Sequence, residues 1–303
     1  MAKLLVTGGA GFIGSNLTDR LIQHGHEVVV IDNFSTGKKE NLNQNAKFIN
    51  SDISDYKTIA PHFEGVEAVF HTAALARIQP SIKDPLAANE TNVTGTLNVL
   101  WAAKNSGVKK FIYSASSSCY GPQPAANFPL KETLPKHPGS PYALQKLVGE
   151  MYCELFSQLY DLSTVVLRYF NVYGPRQITE GAYAAVVGIF LKQKQEGKPM
   201  TITGDGQQRR DFTHVSDVVE ANILSWKKNI AGAEAFNIGR GSNHSINEVA
   251  QLVGGSTVNI AARPGEYPVT LADNSKAREI LGWTPRVDME EGVAELKKSH
   301  GLQ

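Results

Sequence analysis

Tyr142 and Lys146 stand four positions apart in SPYALQK, residues 140 to 146, directly after Pro141 and at the start of a helical pattern. On a helix, positions i and i+4 share a face, so an ammonium there can sit beside a phenolic oxygen. A free tyrosine titrates near pH ~10, and a neighbouring positive charge draws that value toward neutrality, as a general base requires. A surface helix with an aromatic and a cation at a common spacing would read the same way. The pair therefore takes its meaning from its surroundings.

A second group of residues suits phosphate. LLVTGGAGFIGSNL joins an apolar run to a helical pattern through Gly8, Gly9, Gly11 and Gly14. Small residues let the backbone approach a pyrophosphate at a helix N-terminus, where N–H groups and the helix dipole favour an anion. Gly8, Gly11, Phe12, Ile13 and Gly14 are the candidates for that contact. The next apolar run, EVVVID, ends in Asp32, followed by Asn33. A carboxylate at that point accepts hydrogen bonds from a ribose 2′-hydroxyl and repels a 2′-phosphate, which favours NAD over NADP. Lys38 and Lys39 argue weakly the other way and read as a solvated loop.

The elements that must position these groups alternate along the chain. KLLVTG, EVVVID, AKFINSDI, EAVFHTAA, KKFIYSAS and STVVLRYFN read as buried strands, with helical stretches such as FIGSNLTDRLIQHG and TNVTGTLNVLWAAKNSG between them. Near-continuous apolar strands separated by helices predict α/β architecture: a doubly wound parallel sheet of Rossmann type, covered on both faces. After RYFNVYGPRQ the texture shifts to loops, short helices and Gly/Pro punctuation, which predicts a smaller, mixed α/β C-terminal domain. The expected division is a cofactor domain over residues 1–170, with later segments around 211–240 returning to it, and a mainly substrate-binding domain over 171–303.

Composition narrows the partners. The 303 residues carry 30 Lys+Arg against 29 Asp+Glu, a formal charge of +1, so no broad basic surface is offered to nucleic acid. No apolar run approaches the ~20 residues that cross a bilayer, and MAKLLVTGGAGFIG lacks a signal-peptide pattern, so no membrane is expected and the chain reads as cytoplasmic. Cys119 and Cys153 have no metal-binding spacing and read as apolar fillers in a reducing compartment, and no metal is expected.

With TGGAGFIG at 7–14, YALQK at 142–146 and LRYFNVYGPRQ at 167–177, the chain resembles the extended short-chain dehydrogenase/reductases, the NAD-dependent epimerase/dehydratase family. The resemblance spans essentially the full length and is strongest to UDP-N-acetylglucosamine and UDP-glucose 4-epimerases. It implies NAD as cofactor, Tyr142 as base, and Lys146 as the residue that lowers the tyrosine's pKa and holds the nicotinamide ribose. It also implies Asp52 and Ile53 near adenine, Ala73 and Ala74 along the cofactor, Asn92 behind it, and Tyr169 before the Asn171 turn.

SASSSCYG, residues 114–121, bears on the reaction. In the family, the residue matching Ser116 bonds the sugar's 4-oxygen, and dehydratases carry Asp and Glu directly after it to remove water. Here Ser117 and Ser118 follow. The resemblance thus implies a UDP-hexose 4-epimerase that works through a transient 4-keto sugar, with a dehydratase, a net oxidoreductase, a UDP-glucose-only or uronate epimerase and a non-catalytic NAD-binding protein as alternatives. It further implies that Arg210, Arg263 and Asn171 bind the UDP diphosphate and that Thr270, a small gate, leaves room for a 2-acetamido group. Arg210 beside Asp211 also fits a structural ion pair, and His214 with Asp217 reads as a helix opening. Arg77 and Pro80 depart from those epimerases, which have a small residue and an arginine there, so Arg77 bears on sugar choice. Finally, the family implies a homodimer, with Val93, Leu97 and Leu100 on one helix and Leu147, Met151 and Leu155 on another as an apolar seam.

Overall fold

The computed structural model describes residues 1–181, 184–262 and 267–302. Its centre is a seven-stranded sheet in which every pairing is parallel. The six anticipated strands are β1 (Lys3–Thr7), β2 (Glu27–Asp32), β3 (Lys47–Asn50), β4 (Ala68–His71), β5 (Lys110–Ser116) and β6 (Ser163–Tyr169). A seventh, Ala233–Ile238, pairs with β6, and the spatial order from that edge is β6, β5, β4, β1, β2, β3. The order reverses direction between β1 and β4, the place where open α/β sheets bind ligands beyond their carboxyl ends.

Period-two alternation accounts for the unbroken apolar runs. Leu4 and Val6 face one side, with Leu17 and Leu21 of helix α1 (Phe12–Gln23), Val218 and Trp283. Leu5 faces the other, with Val29, Val99, Leu100, Cys153 and Phe156. Both faces are thus covered by helices. A separate apolar cluster that includes Phe190, Phe212, Val249, Val293 and Leu296 forms beyond β6, around a short parallel pair, Met200–Thr203 with Thr257–Ile260.

The helix Pro141–Tyr160 carries Tyr142 and Lys146, and its start is written locally. Ser140 accepts the Ala143 N–H at 3.2 Å, and Pro141 occupies the first turn, where its missing N–H leaves no bond unmade. Gly149 lets this helix close on β5, since a Cβ there would lie 2.1 Å from the Tyr113 hydroxyl. Glu150 then meets Arg168 of β6 in a buried pair, with Nη2 to Oε2 at 2.8 Å and Nε to Oε1 at 3.0 Å. Arg168 also donates to the Tyr120 hydroxyl at 2.8 Å, which in turn donates to Asn237 at 2.6 Å. The catalytic-helix candidate is therefore fixed to three neighbouring strands or strand ends by one polar network.

Among the described residues, no helix is long and apolar enough to cross a membrane. One seam expectation needs correction. Leu100 is fully buried against the sheet, because its face of the Thr96–Asn105 helix is the one that packs inward. Exposed apolar side chains sit instead at Trp101 and, on the longer helix, at Leu144, Met151, Leu155 and Leu159.

Candidate active site

A cleft of about 530 Å³ follows the carboxyl edge of the sheet. Gly8, Gly11, Phe12, Ile13 and Gly14 line it, with Asp32, Asn33, Asp52, Ile53, Ala73 and Ala74. Ser116, Ser117, Ser118, Tyr142 and Tyr169 come next, followed by Asn171, Arg210 and Thr270. Asn92 and Lys146 stand buried behind the wall. Arg263 lies outside the described residues, as do Ala182 and Tyr183.

The glycine turn fits a dinucleotide. Gly8 has φ +73°, and a Cβ on Gly14 would lie 2.2 Å from the Gly8 carbonyl oxygen and 2.7 Å from Thr72 Oγ1. The turn and α1 can approach so closely only without side chains, which leaves the helix N-terminus open to an anion. Gly11 caps α1 without any side-chain bond, and no acidic residue occupies the first turn. Asp32 accepts the Ala10 N–H at 2.9 Å through one oxygen and the Phe34 N–H at 2.8 Å through the other. Ionised, it retains lone pairs for ribose hydroxyls. Asn33 donates to Asp52 at 2.7 Å, which closes this end. Gly14→Val should abolish detectable NAD binding in calorimetry while the chain still folds; affinity within tenfold of the parent would show that the turn does not receive the pyrophosphate.

At the centre, Ser116 and Tyr142 line the cleft together. Ser118 donates to Ser116 Oγ from its N–H at 3.2 Å and its hydroxyl at 2.9 Å, orienting it. Burial raises the Tyr142 pKa, while nearby Ser116 and the Arg77 charge pull it down, with burial prevailing. Lys146 donates to the Ser114 carbonyl at 2.8 Å and stands 5.0 Å over the Tyr113 ring. Burial brings its pKa down to about 8. Tyr169 shares its hydroxyl with Ser114 and Asn222, at 3.1 and 2.8 Å, and burial pushes it up to about 12.

At the other end, Asn171 donates to the Asp211 carbonyl at 2.8 Å and to Thr270 Oγ1 at 3.0 Å. Asp211 does not accept from Arg210 but from the backbone of Arg240, Gly241 and Ala272, at 2.7, 3.0 and 2.9 Å. Burial raises its pKa to about 6, against those bonds. His214 caps the helix Val215–Lys227 through Ser216, and Asp217 accepts from Arg286 and Val287, so both are structural.

The residue that sequence reading passed over is Gln177. It lines the cleft, is 8% exposed, and neither amide atom has a partner among the described residues. A buried amide left unpaired costs about 1–3 kcal/mol, so a ligand group is its natural partner. Nothing in the sequence marks this, because the signal is a missing bond. Its turn is held by Asn16, which donates to the Pro175 carbonyl at 3.1 Å, and by the Arg176–Asp19 pair at 2.7 Å.

A glycine cradle, an acidic strand end and a Ser–Tyr pair in one cleft agree with the comparisons. Residues 4–239 match the model of the NAD dependent epimerase/dehydratase family. The chain belongs to this family. It is 39% identical over 307 residues to a UDP-glucose 4-epimerase of Mycolicibacterium smegmatis, with 96% of each chain covered. The fold matches a UDP-glucose 4-epimerase of Thermotoga maritima solved with UDP-glucose at a TM-score of 0.93 and 42% identity, covering 98% of this chain and 99% of that one. A UDP-N-acetylglucosamine 4-epimerase of Methanobrevibacter ruminantium, in complex with UDP-N-acetylmuramic acid, matches at 0.91 and 37% with the same coverage. The family's cofactor is NAD, and the glycine cradle and Asp32 are where it fits.

Proposed function

We propose that the chain is a UDP-hexose 4-epimerase acting on UDP-N-acetylglucosamine and UDP-N-acetylgalactosamine, and also on UDP-glucose and UDP-galactose. NAD, when bound, supplies a reversible acceptor for the hydride at C4. Tyr142 takes and returns the proton of the C4 hydroxyl, Ser116 orients that oxygen, and Lys146 holds the ribose beneath them. Arg210, Arg263 and Asn171 anchor the UDP, so that the 4-keto sugar turns over without leaving the cleft. A guanidinium suits the diphosphate because it donates two parallel hydrogen bonds.

The observation that carries this reading is the pattern of charge along the cleft. Ser116 and Tyr142 share the cleft, yet among the described lining residues the carboxylates are Asp32 and Asp52, both at the glycine-turn end. Elimination of water across C5 and C6 needs an acid and a base beside the sugar, whereas epimerisation needs one base and a returned hydride. The test is to incubate the protein separately with UDP-N-acetylglucosamine and UDP-glucose, without reductant, and follow the sugar by NMR. The 4-epimer without net NADH supports the proposal. A 4-keto-6-deoxy product would replace it with a dehydratase, and no change in either sugar would withdraw it.

Thr270 sets pocket width in this reading. Its hydroxyl accepts from Asn171 and the Asp211 N–H, both at 3.0 Å, so its position is fixed. Thr270→Tyr should lower kcat/KM for the N-acetylated substrate by at least about tenfold relative to UDP-glucose, a discrimination typical of pocket size, while Thr270→Ser should retain both. Equal losses on both sugars would remove the gate role.

The exposed residues Leu144, Met151, Leu155 and Leu159 recur along one side of the Pro141–Tyr160 helix. We read them, with Trp101, as the seam of a homodimer. Met151→Glu is expected to sediment as a monomer at micromolar concentration where the parent is a dimer; a monomeric parent would reject the seam.

A further inference from the structure

β1 and β4 meet at their carboxyl ends through a register pair of polar residues, Thr7 and His71, both fully buried. Polar groups at the centre of an apolar sheet cost free energy unless each of them is bonded. Here they form a chain. The Ala73 N–H donates to Thr7 Oγ1 at 3.3 Å, and that oxygen lies 2.7 Å from His71 Nδ1. On the other side of the ring, His71 Nε2 lies 2.9 Å from Thr96 Oγ1. The Thr96 hydroxyl donates to the Asn92 carbonyl at 2.7 Å.

The last bond fixes the others. A hydroxyl has one proton and a carbonyl can only accept, so Thr96 must receive its second bond from an Nε2–H. Burial, aided by the Lys146 charge, brings the His71 pKa down to about 3, so the ring is neutral. Nδ1 is then an acceptor, and Thr7 donates to it. The bonds thus run in one direction from the Ala73 N–H through Thr7, His71 and Thr96 to the Asn92 carbonyl.

Both ends of this chain reach the cleft. Ala73 lines it and packs on the glycine turn, where a Cβ on Gly8 would lie 2.7 Å from the Ala73 nitrogen. Asn92, on the π-helical turn Glu90–Gly95, accepts the Leu75 N–H at 2.9 Å and donates to the Leu75 carbonyl at 3.1 Å. The same amide donates to Gln145 of the Tyr142 helix at 2.9 Å. We infer that His71 is a positioning residue of the NAD cleft: held in its Nε2–H form, it locks the wall at residues 73–75 between the glycine turn and the helix that carries Tyr142 and Lys146. Tyr113 completes the packing, stacked on His71 with ring centroids 5.8 Å apart.

The first test reads the parent protein alone. With ¹⁵N-labelled histidine, and the His71 signals assigned by their contacts to Tyr113, NMR at neutral pH should show Nε2 protonated and Nδ1 bare. A protonated Nδ1, or a mixture of the two forms, overturns the inference.

The second test is NAD binding by calorimetry. Thr7→Val removes the donor to Nδ1 and strands the Ala73 N–H, so affinity should fall about tenfold, whereas Thr7→Ser should keep the parental value. Thr96→Val breaks the other side of the ring and should cost a similar factor, with Thr96→Ser again unchanged. Because both hydroxyls act through one ring, the double valine variant should bind within about twofold of the weaker single one, where independent sites would lose about a hundredfold. If Thr7→Val does not fold, Thr96→Val against Thr96→Ser decides alone. A merely structural network would lower the thermal midpoints of the valine variants and leave NAD affinity at the parental value. That result, serine variants as weak as the valine ones, or a fully additive double variant overturns the inference.

Discussion

Tyr142→Phe is expected to lower kcat about a thousandfold while UDP binding stays within a few-fold of the parent. The substitution deletes one oxygen from a ring that sits half-buried in the cleft wall, so packing is kept and the proton acceptor is lost. Positioned general bases contribute roughly 10²–10⁴-fold, and Tyr142 lines the cleft beside Ser116, where such a base would act. UDP contacts are expected at the Arg210 and Thr270 end of the same cleft, which explains why binding should survive. Turnover by NMR and UDP titration by calorimetry separate the two effects. A variant that retains a tenth of parental kcat would show that another group moves the proton.

Arg168→Leu should destabilise the fold by about 3–5 kcal/mol, because it strands the Glu150 carboxylate in the interior. Glu150 and Arg168 are 7% and 3% exposed at the side chain, so little water can replace the lost bonds. Burial disfavours the Arg168 charge, but the Glu150 bonds outweigh it and hold its pKa above the ordinary value. A thermal midpoint lower by roughly 10 °C would follow for a chain of this size. Pairing it with Glu150→Leu removes the stranded charge and should recover much of the midpoint. No recovery in the double variant would locate the loss in Tyr120 and Glu132, the other Arg168 partners, rather than in the pair.

The sheet was legible because β1 to β6 are apolar on both faces and separated by helical stretches, a pattern few other folds produce. The strand Ala233–Ile238 gave a weaker signal: its first half is only partly buried, and Glu234 lies within it. The short pair Met200–Thr203 and Thr257–Ile260 was illegible because the second strand is exposed throughout, so it carries no alternation to read. In the site, spacing placed Tyr142 and Lys146 on one helix, but it cannot say where an ammonium points. The Ser114 carbonyl, brought in by β5, decides that. Helical spacing likewise could not tell which side of the Thr96–Asn105 helix faces the sheet, and Leu100 proved to be on that side.

The Pro175–Gln177 turn, bound to α1 through Asn16 and Asp19, ties one wall of the cleft to the helix that opens from the glycine turn. Thr270 belongs to a strap that meets Arg209 and Leu130, and its hydroxyl holds Asn171 and the Asp211 N–H, so a change that keeps the hydroxyl leaves both donors satisfied. Gln177 cannot be moved without pulling on α1, the helix that opens from the glycine turn. Attempts to alter the pocket should therefore begin with changes at residue 270 that keep its hydroxyl, and residues 175–177 should tolerate little, because they are tied to α1.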